Sequence, residues 1–326
     1  MTTRSTVTVA AAQYAVEFLG SWDRYAAKIT AMTETATGQG AQLLVFPEYA
    51  SMELASIFPP EIYGDMDNQF AALQTIAEPF LALHCQLAQQ HDCYIVAASF
   101  PLALADGRLV NRAYFCRPDG SYDFQDKLIM TRFEHEEWHV VPGDEIKIFE
   151  TRFGHVGINI CYDSEFPMVA RSQVEAGADL ILVPSCTDTH AGYQRVRTGC
   201  RARALENQCY VIMAPVVGMA AWSDAIDINV GAAGVFTPID YGFPSDGVMA
   251  TGEMNQDMWL VVELNLAEIA RVRAEGQVFN YRDWHRQFNI GATGLDAVVT
   301  VPESGWLVPA LVTSVAHAHP APARKD

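Results

Sequence analysis

Two parts of the chain repeat the same pair of short apolar runs in the same order. The first run is GAQLLVFP at Gly40–Pro47 and returns as GADLILVP at Gly177–Pro184; the second is CYIVAA at Cys93–Ala98 and returns as CYVIMA at Cys209–Ala214. Continuous apolar runs of this length are typical of strands buried on both faces of a parallel sheet. The runs lie further apart in the first copy, which predicts an extra loop around Ser51–Asp67.

Helical periodicity separates these strands. The predicted helices are Ser21–Thr37, Asn68–Gln90 with an interruption near Pro79, Pro167–Ala176, Gly192–Asn207 and Ala267–Glu275. The repeated order of strand, helix, strand, helix and strand predicts an α/β fold of two similar halves, with the sheets face to face and the helices outside. This is a four-layer α-β-β-α sandwich, with one domain over residues 1–316 and a flexible tail at 317–326. The alternative is that the echoes arise by chance, since buried strands use few residue types.

The charge of the chain excludes one class of partner. Its 326 residues include 39 acidic side chains against 21 Lys and Arg, a formal charge of -18, which repels the phosphates of nucleic acid. No apolar run reaches the roughly 18 residues of a membrane span, and no secretory signal is evident at the start. The seven cysteines are odd in number and contain no CxxC pair. We therefore expect reduced thiols, a cytoplasmic location and no membrane partner.

Three chemically active side chains come after the ends of predicted strands. Glu48 follows the first apolar run, Lys127 follows a strand at Ser121–Phe124, and Cys161 follows Gly157–Ile160. Strand ends are where α/β folds usually build their sites. A cysteine can attack a carbonyl or nitrile carbon, a glutamate can move its proton, and an ammonium can stabilise the oxygen charge that develops. Taken singly, Cys161 could be an ordinary buried cysteine, Glu48 a turn residue and Lys127 a surface charge.

The start of a helix lies close to the candidate nucleophile. Pro167 suits the first turn of a helix, and a helix N-terminus carries a partial positive charge. We therefore expect this helix to favour a thiolate at Cys161.

These motifs together resemble the nitrilase superfamily of carbon–nitrogen hydrolases. The resemblance rests on LLVFPEYA around Glu48, DKLIMTRFEHEEW after Lys127 and GINICYDSEFP around Cys161, with GADLILVPS and RARALENQCYV after them. It covers the chain from about Val7 to Leu264. The resemblance implies the four-layer sandwich, and a cysteine that forms a thioester or thioimidate which water then hydrolyses.

The resemblance also implies residue roles. Glu48 is expected to be the general base, Lys127 the cation beside the oxyanion and Cys161 the nucleophile, with the backbone N–H of Tyr162 helping to hold the oxyanion. A second glutamate is expected shortly after the lysine; counting back from Pro142–Asp144 selects Glu136, with Glu134 as the alternative. Two further residues are candidates for the pocket lining, namely Glu165 and Cys186.

A competing motif is the HExxH pentapeptide at His135–His139, which can bind zinc when it lies on a helix. The segment Val140–Gly143 follows it directly, so no long amphipathic helix surrounds the two histidines. No third ligand follows at a suitable spacing. We therefore predict no metal and no cofactor.

The predicted function is hydrolysis of a small non-peptide amide to an acid and ammonia or an amine. Hydrolysis of a nitrile, or of an N-carbamoyl compound, is the alternative within the same chemistry. A catalytically silent binding protein on the same fold is the alternative from another class. No arginine stands at Ser164 or Glu165, where N-carbamoyl hydrolases commonly have one, so we expect a neutral or amine-bearing substrate. The resemblance further implies a homodimer or larger homo-oligomer, with Gly192–Asn207 as a candidate contact.

Overall fold

The structure is a computed structural model that describes residues 6–289. The strands are β1 (Thr6–Ala15), β2 (Leu43–Val45), β3 (Tyr94–Val96), β4 (Phe100–Ala103), β5 (Leu109–Cys116), β6 (Tyr122–Asp126), β7 (Ile148–Thr151), β8 (Gly154–Ile158), β9 (Ala178–Ser185), β10 (Tyr210–Met219), β11 (Ile228–Asn229), β12 (Gly234–Phe236), β13 (Val248–Thr251) and β14 (Met258–Asn265). The α-helices are α1 (Trp22–Gly38), α2 (Pro60–Tyr63), α3 (Met66–Leu73), α4 (Ala77–Gln90), α5 (Arg132–Glu136), α6 (Pro167–Glu175), α7 (His190–Asn207), α8 (Leu266–Glu275) and α9 (Asn280–Asp283). Short 3-10 helices cover Ala50–Ile57, Gln74–Ile76, Cys161–Glu165 and Trp284–Asn289.

Two groups of strands have the same internal order. In the first, β1, β2 and β3 are parallel, with β5 antiparallel to β3 and β14 antiparallel to β1. In the second, β8, β9 and β10 are parallel, with β12 antiparallel to β10 and β7 antiparallel to β8. The two groups meet where Tyr14 and Ala15 of β1 pair with Val216 and Val217 of β10.

The two faces of β1 belong to different apolar clusters. Val7, Val9 and Ala11 pack in one cluster with residues of β8, β9 and β10. The alternate residues Ala10 and Ala12 pack in a second cluster that contains residues of α1 and α4. Since successive side chains of a strand point to opposite faces, the first sheet has strands on one side and helices on the other. With α6 on β9 and α7 on β10, this confirms the predicted four-layer sandwich.

The chain divides into two compact units, Met1–Arg282 and Asp283–Asp326. The first contains both groups of strands. Of the second, the described part ends with the 3-10 helix Trp284–Asn289. The single domain over residues 1–316 stays a prediction, and the proposed tail at 317–326 lies outside the described residues.

The helix predicted over Asn68–Gln90 is interrupted, although not at its proline. The break is the 3-10 turn Gln74–Ile76, which separates α3 from α4. Pro79 is the third residue of α4. A proline is tolerated there because the first N–H groups of a helix have no partner within it. The extra loop expected around Ser51–Asp67 contains a 3-10 helix and α2.

None of the helices within residues 6–289 is both long enough and apolar enough to cross a membrane.

Candidate active site

Two carboxylates hold one buried ammonium. Lys127 Nζ lies 2.7 Å from Glu48 Oε1 and 2.5 Å from Glu134 Oε2. The three side chains are at most 4% exposed. Buried charges are tolerated when they are paired and hydrogen-bonded, as these three are. Because the charged groups lie so close together, the protonation of each depends on that of the others. The ammonium carries one positive charge between two acids.

Each of these residues is fixed by the backbone around it. Glu48 follows β2 after Phe46 and Pro47, and the N–H of Tyr49 donates to the Ser99 hydroxyl at 2.9 Å. Lys127 follows β6, and its N–H donates to the Asn111 carbonyl at 2.9 Å. The site is therefore mounted on the ends of rigid strands, as the strand-end pattern predicts.

Glu134 occupies the position that was predicted for Glu136. Thr131 is the N-cap of α5, and Glu134 at the third helical position closes a capping box with it. The Glu134 carboxylate accepts from the Thr131 N–H and hydroxyl at 3.0 and 2.9 Å, beside Lys127. Glu136, two residues later, faces away and pairs with Arg132 at 2.7 Å on the surface. The placement of Glu136 beside Lys127 is therefore wrong, and the alternative, Glu134, takes its place.

Cys161 lies buried beside this cluster. It is the first residue of a 3-10 helix that follows β8, with a left-handed backbone at φ 49°. Such a conformation is uncommon outside glycine and concentrates at functional sites. Its thiol donates to the Cys186 carbonyl at 3.6 Å, and Cys186 N–H donates to Glu48 Oε2 at 2.9 Å. Cys186 thus links the thiol to the carboxylate through its own backbone.

The protonation of the site differs from the thiolate that the helix start predicted. Burial, and then the charge of Glu48, raise the pKa of Cys161 well above its ordinary value. The helix α6 begins only at Pro167, after the 3-10 helix Cys161–Glu165. A raised pKa favours the protonated thiol, so Cys161 would need a base before it could attack a carbon.

The two glutamates are held in different electrostatic environments. Burial raises the pKa of Glu48, although the charge of Lys127 opposes this. Burial acts on Glu134 in the same direction, but the charge of Lys127 and hydrogen bonds from Lys127 and Thr131 outweigh it and lower its pKa. For Lys127, burial is outweighed by both glutamates, so its pKa lies well above the ordinary value. Glu134 therefore favours its anionic form, and Glu48 is the carboxylate that more readily takes a proton.

A cavity of about 420 Å³ opens over these groups. Its lining includes Glu48, Lys127, Glu134 and Cys161, and the predicted Tyr162, Glu165 and Cys186. Glu165 pairs with Arg195 at 3.5 Å. The Cys186 thiol lies 3.4 Å from Asn229 Oδ1. The structure therefore brings all the predicted site residues together except Glu136.

Three residues that contact the site were not among the predicted site residues. The Asn111 side chain, on β5, donates to Glu48 and Glu134. The Tyr49 hydroxyl donates to Glu134 at 2.9 Å. The buried Asp163 carboxylate accepts from the N–H groups of residues 128, 129 and 160. Tyr49 lies inside the LLVFPEYA motif and Asp163 inside the GINICYDSEFP motif, so these motifs could have indicated them, whereas Asn111 lies in none of the quoted motifs.

The HExxH pentapeptide does not form a continuous helix. His135 lies in α5, but the helix ends at Glu136, and His139 has a left-handed backbone at φ 55°. Both imidazoles are exposed. Zinc binding by this motif needs two histidines one turn apart on one helical face, which this backbone does not provide. Within residues 6–289, no three His, Cys, Asp or Glu side chains are grouped to hold a metal ion.

Comparison with known proteins finds similarity to carbon–nitrogen hydrolases. The carbon–nitrogen hydrolase family model matches residues 8–260. The probable hydrolase YhcX of Bacillus subtilis (strain 168) is 31% identical over 283 residues, covering 86% of this chain and 54% of that protein. Omega-amidase NIT2-A of Xenopus laevis is 27% identical over 192 residues, covering 56% of this chain and 65% of that protein. The chain thus spans about half the length of the first relative and under two thirds of the second.

A solved structure shares the fold. Saccharomyces cerevisiae Nit3, described as a member of branch 10 of the nitrilase superfamily, superposes with a TM-score of 0.65 at 21% identity. The superposition covers 82% of this chain and 93% of Nit3.

Proposed function

The chain belongs to the carbon–nitrogen hydrolase family of the nitrilase superfamily, and we propose that it is an enzyme that hydrolyses a small amide through a thioester on Cys161. The observation that carries this proposal is the buried Glu48–Lys127–Glu134 cluster beside a thiol at a cavity. A cysteine nucleophile needs a base to take its proton, and the oxyanion that forms on the substrate's carbonyl oxygen needs a cation. Glu48 and Lys127, next to Cys161, can supply both.

In the first step, the Cys161 sulfur attacks the amide carbonyl carbon and a C–S bond forms. The thiol proton passes to Glu48, which is why a carboxylate with a raised pKa suits this position. The carbonyl π electrons move to the oxygen. The Lys127 ammonium and the Tyr162 N–H stabilise this oxyanion, and Glu134 keeps the lysine charged.

In the second step, the oxyanion re-forms the carbonyl and the C–N bond breaks. Glu48 returns its proton to the leaving nitrogen, so ammonia or an amine departs and the acyl group stays on Cys161 as a thioester. Water then attacks the thioester while Glu48 takes its proton. The acid departs, and the proton returns from Glu48 to the sulfur.

The charge at the cavity mouth supports a neutral or amine-bearing substrate. The exposed carboxylates Asp188, Asp224 and Asp227 line the opening. The two arginines of the lining are each paired with an acid, Arg132 with Glu136 and Arg195 with Glu165. The mouth is therefore negative on balance, which favours cations and disfavours anions by electrostatic steering. The relative named omega-amidase further supports an amide as the substrate.

Intact-mass measurement tests the function directly. The protein is mixed with a panel of amides, nitriles and N-carbamoyl compounds and quenched in acid, its intact mass is measured, and ammonia release is followed in parallel. We expect an acyl adduct on the wild type, neither adduct nor ammonia from Cys161→Ala, and both from the control Cys85→Ser. Turnover by Cys161→Ala would overturn the proposal, and so would a nitrile, or an N-carbamoyl compound, as the preferred substrate.

The assembly and the cytoplasmic location stay predictions. The candidate contact between copies is the helix α7, and a substitution on it can test this contact only at an exposed position. Cys200 of α7 is fully buried within the chain, so its substitution would disturb the core instead. Leu205, on the same helix, is 38% exposed and suits the test better. If α7 forms a contact between copies, Leu205→Glu is expected to elute later in sizing chromatography. An unchanged elution volume would count against α7.

A further inference from the structure

One amide side chain contacts both carboxylates of the site. Asn111 Nδ2 lies 3.0 Å from Glu48 Oε1 and 3.3 Å from Glu134 Oε1. The backbone carbonyl of the same residue accepts the Lys127 N–H at 2.9 Å. Asn111 is fully buried on β5, which pairs with β3, β4 and β6. It is thus bonded to all three charged residues of the cluster.

The orientation of this amide is determined by its neighbours. An amide NH₂ has two hydrogens, and here each has one carboxylate to bind. The Asn111 Oδ1 atom is buried and accepts no hydrogen bond from the described residues. Turning the amide over would place that oxygen against two anions, which is electrostatically unfavourable. The side chain therefore keeps both donors on the glutamates and leaves its acceptor unused.

The contact matters because the site has more negative than positive charge. Glu48 and Glu134 repel each other, and Lys127 supplies a single positive charge between them. In a buried site such repulsion is weakly screened. A neutral donor that bridges the two acids stabilises both anions without adding a charge that would compete with Lys127 for them.

We propose that Asn111 is a positioning residue that bridges Glu48 and Glu134, keeps Glu48 an anion at rest and directs it toward Cys161. The step in which this matters is the deprotonation of the thiol, and in that respect the inference rests on the proposed function. Asn111 does not line the cavity, so it acts through the glutamates and not on the substrate.

The test uses a probe that needs no substrate. Iodoacetamide alkylates Cys161 only as the thiol loses its proton, so the rate across pH follows the coupled Glu48–Cys161 pair. Peptide mass mapping separates Cys161 from the partly exposed Cys85. Asn111→Leu keeps the shape and removes both donors, and Asn111→Ser keeps one donor. Asn207→Leu is the matched control, since Asn207 is equally buried and also has an unpartnered Oδ1.

The other titratable groups around the two glutamates do not account for a shift of the alkylation profile between variants. The pKa values of Tyr49 and Cys186 are raised well above their ordinary values by burial, so both stay neutral through the range. The pKa of Lys127 is also raised, so the ammonium stays charged. Asp163 titrates in the range, its pKa raised to about 7 by burial, but it is present in every variant.

Asn111→Leu is expected to move the acid limb of the alkylation profile up by roughly one pH unit, because one lost hydrogen bond to an anion has about that effect on a pKa. Asn111→Ser is expected to fall between it and the wild type, and Asn207→Leu to match the wild type. Once a substrate is known, kcat should fall by roughly 10-fold or more with KM unchanged. A folded Asn111→Leu or Asn111→Ser protein with the wild-type alkylation profile would overturn the inference. The absence of an acyl adduct on the wild type would overturn the proposed function instead.

Discussion

The Asp163 carboxylate accepts a 2.8 Å hydrogen bond from the backbone N–H of Ile129. It also accepts from Leu128 N–H at 3.1 Å and from Ile160 N–H at 3.1 Å. Leu128 and Ile129 directly follow Lys127, and Ile160 directly precedes Cys161. One buried side chain therefore joins the segment of the cation to the segment of the nucleophile.

This link makes stability depend on pH with a defined sign. Burial, the largest influence, raises the pKa of Asp163 to about 7, against about 3.9 in an unfolded chain. The folded state binds the proton more tightly, so the contribution of Asp163 to stability is complete below pH 4 and declines as pH rises toward 7. Its total over that window is at most about 4 kcal/mol. The free energy of unfolding by urea, measured across pH, should show this decline in the wild type, and the decline should be smaller in Asp163→Asn. An identical slope in both proteins would contradict the assignment.

Glu134 and Glu136 form a natural pair of test and control. Glu134→Gln keeps the shape of the side chain and removes the anion that helps to hold Lys127 charged and in place. We expect kcat to fall by roughly 100-fold or more, on the scale of losing a charged group from a preorganised site. Glu136→Gln breaks an exposed pair with Arg132, and exposed pairs contribute about 0–1 kcal/mol. Its activity should match the wild type, and equal losses from both variants would contradict the placement of Glu134.

The sequence predicts some of these residues and not others for a physical reason. Glu48 and Cys161 follow strands that are visible as local apolar runs, and Lys127 follows a strand that comes after the turn signal Asp119–Gly120. The choice between Glu134 and Glu136 depends on where α5 begins, and the cap at Thr131 becomes evident only when the helix start is fixed. The roles of Asn111 and Asp163 depend on contacts between residues far apart in the chain, which no local pattern contains.

The strands and helices, like the site residues, are predicted only where a local sequence pattern marks them. The repeated apolar runs predict parallel strands, because burial on both faces leaves a clear pattern. The sequence does not predict β4, β12 and β13, because these antiparallel strands are not marked by the repeated apolar runs. The sequence predicts the helix break near Pro79, because proline disrupts the interior of a helix. The break lies earlier, at Gln74–Ile76, and Pro79 falls in the first turn of α4, where proline is tolerated.

A second buried carboxylate provides a prediction for stability alone. Glu53 is fully buried and is held by Lys28 Nζ at 2.7 Å, by the Glu17 N–H at 2.5 Å and by the Tyr14 hydroxyl. Lys28→Met would leave Glu53 buried without its cation, which typically destabilises a protein by about 3–5 kcal/mol. Urea unfolding measures the loss. Arg108→Met is the control, because its two ion pairs are exposed, and it should change the free energy of unfolding by less than about 1 kcal/mol. A small loss from both variants would show that Glu53 takes up a proton instead.

The carboxylates at the cavity mouth predict how substrate charge affects KM. Replacing Asp188, Asp224 and Asp227 together by Asn removes three negative charges from exposed positions of the lining while the reacting groups stay untouched. For an amide with a protonated amine we expect KM to rise several-fold, with kcat unchanged, because long-range attraction acts on binding and not on the chemical step. For a neutral amide of the same size KM should not move. The difference between the two substrates should shrink as salt is added, since exposed charges are screened over about 10 Å at 0.1 M. Asp23→Asn, an exposed substitution on α1, controls for the loss of net charge. A triple variant that raises KM equally for both substrates has altered the shape of the cavity, and the preference for an amine-bearing substrate would then have to be abandoned.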